Sequence, residues 1–138
     1  MTRALNYYRN LLEQHLQETN PELAKNEEFL DERSNRCYKM REKLFLEGIP
    51  LMSIDEIILD ELFSGLRYSR YSVVKQIISN YFPDLIQESE LTNSIYELLP
   101  SLEPIFKQYP ENDNFNANSE GWEAMEMELT EKLYEKLN

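Results

Sequence analysis

The stretch Ser69-Arg-Tyr-Ser-Val-Val-Lys-Gln-Ile-Ile-Ser-Asn-Tyr-Phe-Pro83 decides how this chain folds. Tyr71, Val74, Ile77, Ile78, Tyr81 and Phe82 recur at three- and four-residue intervals, the repeat of a helix face. Ser69 stands where an N-cap accepts from a free amide, and Pro83 cannot continue the helical ladder. The apolar arc is wide. It predicts a helix at the centre of the fold, covered on more than one side.

Working outward toward the N-terminus, Ser53-Ile-Asp-Glu56 fits a capping box, in which the Ser and Glu side chains satisfy each other's amides. The helix it opens buries Ile54, Ile57, Ile58, Leu62 and Phe63, exposes Asp55, Glu56, Asp60 and Glu61, and ends at Gly65. Before it, Asn26 caps a long helix whose first turn carries Glu27 and Glu28, as the helix dipole prefers. Its inner side reads Phe29/Leu30, Arg33, Cys37, Met40 and Leu44, and Gly48 stops it. The first helix, with Thr2 as its cap, turns Leu5, Tyr8, Leu12 and Leu16 inward, widened by Tyr7 and Leu11.

Toward the C-terminus, a fifth segment from about Leu91 carries Ile95, Leu98, Leu99, Leu102, Ile105 and Phe106 inward. Pro100 and Pro104 interrupt it and require a kink or a split. Residues 109–118 read as a loop of turn-forming residues, and Ser119 caps a last helix striped by Trp122, Met125, Leu129, Leu133 and Leu137. Six helices with short connections predict an all-α, single-domain bundle over residues 1–138. Three glycines in the whole chain leave little material for tight hairpins, which agrees.

The chain holds 26 acidic and 14 basic residues, a net charge of −12. The imbalance is local. Residues 1–50 carry eight Lys/Arg against nine Asp/Glu, and residues 51–138 carry six against seventeen. An anionic surface repels nucleic-acid backbones and anionic lipid and favours basic partners. No segment approaches ~18 uninterrupted apolar residues, so no membrane span is expected. The N-terminus has no apolar leader and the single Cys37 cannot bridge internally, which points to a reducing, cytoplasmic setting.

Candidate chemistry is sparse. His15, the one histidine, falls within the apolar arc of the first helix and reads as a boundary residue with one satisfied hydrogen bond. One His and one Cys supply neither a zinc ligand set nor a Cys-His pair. Arg33 and Arg36 near Cys37 could lower its thiol pKa, but an inward position favours an inert residue. The carboxylate pairs Glu56/Asp60, Glu27/Asp31 and Glu28/Glu32 fall on solvent faces. No catalytic residue, metal site or cofactor is expected.

Two surfaces remain. Arg67, Tyr68, Ser69, Arg70 and Ser72 gather cations, hydroxyls and a ring at a helix start, where free amides favour an anion or a partner. Alternatively, both Tyr68 and Tyr71 pack inward while the arginines neutralise nearby acids. The last helix offers Trp122, Met125, Met127, Leu129 and Tyr134 as a docking face for a protein partner or a second copy, its plain alternative being core packing. Nucleic-acid contact through Arg33, Arg36, Lys43, Arg67 and Arg70 is the second functional reading, against intramolecular pairing of the same residues.

Several short strings occur in order along the chain: Leu5-Asn-Tyr-Tyr8, Pro21-Glu-Leu-Ala24, Phe29-Leu with Arg33, Gly65-Leu-Arg-Tyr-Ser-Arg-Tyr71, Leu98-Leu-Pro100, Phe106 with Tyr109-Pro110, Asp113-x-Phe115 and Glu128-Leu-Thr130. Together they resemble the small bacterial proteins grouped as DUF1896, a domain of unknown function. Where that family favours His-Phe-Ser-Lys-Tyr after Gly-Leu, this chain has Arg67-Tyr-Ser-Arg-Tyr71. The resemblance implies a compact helical domain and a setting among mobile genetic elements, and it brings no catalytic residues. The favoured function is a non-enzymatic interaction or accessory protein.

Overall fold

Helix starts here are set by a few side chains that reach free backbone amides. Asn26 accepts from Phe29 N at 3.0 Å and opens the second helix, and Ser69 accepts from Ser72 N at 3.0 Å and opens the fourth. Both caps stand where the sequence places them. The computed structural model describes residues 3–138, so the expected cap Thr2 lies outside the described residues. Six α-helices follow in order: α1 Arg3–Thr19, α2 Glu27–Leu46, α3 Leu51–Leu62, α4 Arg70–Tyr81, α5 Glu88–Phe106 and α6 Trp122–Leu137. A 3₁₀ turn, Leu23–Lys25, joins the first two. No strand occurs among the described residues, and the fold is all-α.

The chain forms two compact units, Met1–Leu66 and Arg67–Asn138. The reading of 1–138 as one domain thus meets two apolar clusters that share no residue. In the first unit α2 packs against both α1 and α3. Its core holds Tyr8, Leu12 and Leu16 from α1, Leu30 and Cys37 from α2, and Ile54, Ile58 and Leu62 from α3. Gly48 and Gly65, with φ of 82° and 77°, turn the chain just beyond α2 and α3, in the left-handed region glycine enters without strain.

In the second unit α4 packs on α5 and on α6, and those two pack on each other. Five of the twelve α4 residues are buried, so its broad apolar arc is covered from two sides. Ile95, Leu102 and Phe106 from α5 and Met125, Leu129 and Leu133 from α6 complete the core, together with Phe115 from the loop. α5 runs unbroken through Pro100 and Pro104 and does not split. Each proline removes one backbone N–H from the ladder. Both are exposed, and the buried stripe beneath them holds the helix in register.

Four expectations need correction. α3 begins at Leu51 with Pro50 as its N-cap, so Ser53 lies inside the first turn and caps nothing; a proline before the helix sets the start instead. α6 begins at Trp122 after Gly121 (φ 91°), and the Ser119 hydroxyl serves the preceding loop. Tyr7, Ile57 and Tyr81, read as inward, are exposed, because each sits at the edge of a stripe wider than its neighbours can cover. α5 starts at Glu88, a turn earlier than the apolar repeat, since its first turn is acidic and suits the dipole.

Leu129 is fully buried between the three helices of its unit. Leu129→Ala should destabilise the protein by ~2–5 kcal/mol, the usual cost of a leucine-sized core cavity, read as a lower urea midpoint.

Candidate functional site

The basic-aromatic string before α4 meets the loop between α5 and α6. Arg70 forms a two-pronged pair with Glu111, its Nε donating to Oε1 at 2.5 Å and its Nη2 to Oε2 at 2.9 Å. Its guanidinium also lies 5.4 Å from the centre of the Phe106 ring. Three residues earlier, the Arg67 amide donates to Asp113 Oδ1 at 3.0 Å, and its Nη1 stands 3.5 Å from Oδ2 of the same carboxylate. Between these pins Tyr68 packs into an aromatic group with Phe115 and Trp122, at centroid distances of 6.2 and 6.5 Å. Phe115 and Trp122 are 5.1 Å apart, and Tyr109 stacks on Phe115 at 6.4 Å.

This arrangement clamps a turn-rich loop onto a helix start. Asn112, Asn116 and Ser119 accept from backbone amides within the loop and give it a defined path. Arg67 and Arg70 then fix its acidic end, and Phe115 drives its middle into the core. Ser69 is occupied as the cap of α4, and the Ser72 hydroxyl donates back to Ser69 O at 3.2 Å. The cations, hydroxyls and ring of the predicted site are therefore brought together, and two carboxylates meet the arginines there. Burial pushes the Tyr68 hydroxyl up to about 12, so it stays protonated. Sequence reading named the string but missed Glu111 and Asp113, because nothing local marks two acids in an acidic chain as partners of residues more than forty positions away.

The predicted docking face on α6 divides. Met125 and Leu129 are fully buried, Trp122 belongs to the aromatic group, and Met127 and Tyr134 are each 61% exposed. The five cations read as a nucleic-acid patch also divide, with Arg33, Arg36 and Lys43 in the first unit and Arg67 and Arg70 in the second. Arg33 Nη1 donates to the carbonyls of Leu62 and Ser64, both at 3.0 Å, and so satisfies acceptors left open at the end of α3. Arg36 pairs with Glu32 and Glu61, each at 3.4 Å. Elsewhere in that unit Arg9 joins α1 to Glu27 and Asp31 of α2.

His15 is half-buried, and its Nε2–H donates to Leu66 O at 2.8 Å while the ring lies 4.6 Å from Phe63. That hydrogen bond is the one expected of a boundary histidine. Cys37 is wholly buried, and burial, followed by the charge of Glu61, raises its thiol to about 11 despite the opposing pull of Arg36 and Arg33. Among the described residues no three His, Cys, Asp or Glu side chains gather to hold a metal ion, and no helix is long and apolar enough to cross a membrane.

An all-helical fold with a pinned loop is the class of protein this geometry defines. The chain belongs to the DUF1896 family, a domain of unknown function, whose pattern matches residues 1–137. Among solved structures it is similar to the crystal structure of protein PG0816 from Porphyromonas gingivalis. The TM-score is 0.82 and the identity 24%, over 96% of this chain and 89% of that one. The likeness shows the shared fold. No curated protein matches the chain.

Two outcomes follow. The hydrogen bonds from Arg70, ahead of opposing desolvation, hold the Glu111 carboxyl below the usual range, so the ionised clamp stabilises the fold above an ordinary carboxylate pKa of about 4.3. That contribution is lost as pH falls through the lowered value. Lowering the pH should therefore reduce the protection factors of amides over residues 109–118, once rates are corrected for intrinsic exchange, and Glu111→Gln should flatten that dependence in exchange measured by mass spectrometry. Cys37 should not react with a thiol reagent such as DTNB near neutral pH in the native state, and its labelling should follow the denaturant unfolding curve.

Proposed function

We propose that this is a non-enzymatic interaction or accessory protein of the cytoplasm. The observation that carries the reading is the turn between α2 and α3. There Phe45, Leu46, Leu51 and Met52 are 59%, 84%, 56% and 83% exposed within eight residues. Fully burying such side chains is worth roughly 1.5–3 kcal/mol each, and none of the four gains most of that within the chain. A concentrated apolar patch of this kind marks a contact surface more often than an isolated exposed leucine does. The sequence carries a signal for it: Leu44, Phe45, Leu46, Ile49, Leu51 and Met52 crowd more large apolar residues around Gly48 than one helix face can bury.

The reading covers a protein partner and a second copy of the chain. A Leu46→Asp/Met52→Asp variant should keep the helical circular dichroism and urea midpoint of the parent, because both residues already face water. It should lose specific partners in quantitative cross-linking from the native host, or lose any concentration-dependent mass in light scattering. Identical cross-linked partners and identical mass for parent and variant would refute the proposal.

A further inference from the structure

The outer side of α6 carries a second surface, independent of the α2–α3 turn. Tyr81, at the end of α4, and Met127, on α6, border a groove of about 510 Å³ with Thr130 in its wall. A second hollow of about 610 Å³, lined by Phe82 and Tyr134, adjoins it and shares Tyr81, Thr130 and Glu131. Tyr81, Met127 and Tyr134 are 55%, 61% and 61% exposed, so three large apolar bodies face water in the lining of these hollows. Along α6 the lining runs from Glu123 to Glu135, ~18 Å at the rise of a helix, the length of about three turns of a partner helix.

Charge identifies the occupant. Glu123, Glu126 and Glu131 line the same groove. Glu135 lines its far end and has a cation nearby, Lys132 Nζ at 3.5 Å. The Tyr81 hydroxyl donates to Glu126 Oε1 at 3.1 Å, which fixes that carboxylate at the groove's edge. A second copy docking symmetrically on this face would set glutamate against glutamate. Nucleic acid and anionic lipid meet the same repulsion. A segment with apolar residues on one face and Lys/Arg beside them meets complementary charge, and its cations can also approach the exposed tyrosine rings.

We infer that the α4–α6 groove is a docking site for a cationic amphipathic helix of another protein. Met127 and the two tyrosines take its apolar face, as in other helix-in-groove complexes, and the glutamates take its flanking lysines or arginines. Met127 suits this role because an unbranched thioether adapts to the side chain it meets.

The test uses the full chain labelled with ¹⁵N and a peptide of Leu and Lys in which Leu recurs at three- and four-residue spacing. The control is a peptide of the same composition in scrambled order. The patterned peptide should shift the amides around Tyr81, Met127, Thr130 and Tyr134. Met127→Ala/Tyr134→Ala should weaken it about tenfold, as truncation of central apolar anchors does. Glu126→Gln/Glu131→Gln should weaken it about threefold or more and flatten its salt dependence. Leu46→Asp/Met52→Asp should leave it unchanged, so this inference and the proposed function fail separately. Equal binding of the scrambled peptide, shifts centred elsewhere, indifference to the groove substitutions, or self-association of the chain through Met127 and Tyr134 would each overturn it.

Discussion

Neither unit is large, and size constrains everything else. A helical unit of about seventy residues buries a modest fraction of its surface, so its core alone leaves little margin. Both units add polar pins where helices end or loops return. In the first, Arg33 collects the open carbonyls at the end of α3 and Arg9 ties α1 to the start of α2. In the second, Arg70 and Arg67 hold the loop that carries Phe115 into the core. Exposed ion pairs are individually weak, and these gain from acting on a segment that also buries an aromatic ring.

The pins also explain where the positive charge has gone. With so few cations in an acidic chain, the arginines that look available in the sequence serve as internal ties. The acids left over concentrate on α6, which carries five glutamates against two lysines. The glutamates along the α4–α6 groove stand beside Tyr81, Met127 and Tyr134. That juxtaposition makes the outer side of α6, with its run of glutamates, chemically unlike the α2–α3 turn, where Phe45, Leu46, Leu51 and Met52 are exposed beside the single acid Glu47. The two surfaces therefore suit different contacts.

Much of the architecture was legible from residue spacing. The stripes through Leu12, Ile58, Ile77, Leu102 and Leu129 turn inward as their period requires, and the caps at Asn26 and Ser69 form as their side chains permit. The failures share a cause. Ser53 and Ser119 have the right chemistry for caps, but Pro50 and Gly121 define the helix starts through backbone conformation. Tyr7, Ile57 and Tyr81 belong to real apolar arcs, yet an arc says only which residues could be covered. Of the candidate site, the arginine string was visible, while its partners Glu111 and Asp113 were hidden among other acids.

The sequence by itself determined the six helices and their inner stripes, because helical period and cap chemistry act over a few neighbouring residues. The tertiary structure decided that these helices close two separate cores, that Arg67 and Arg70 hold a loop, and that Met127 and Tyr134 stay outside while Met125 and Leu129 go in. Those outcomes depend on which side of a helix another helix covers. Residues far apart in the chain settle that together, and no local pattern encodes it.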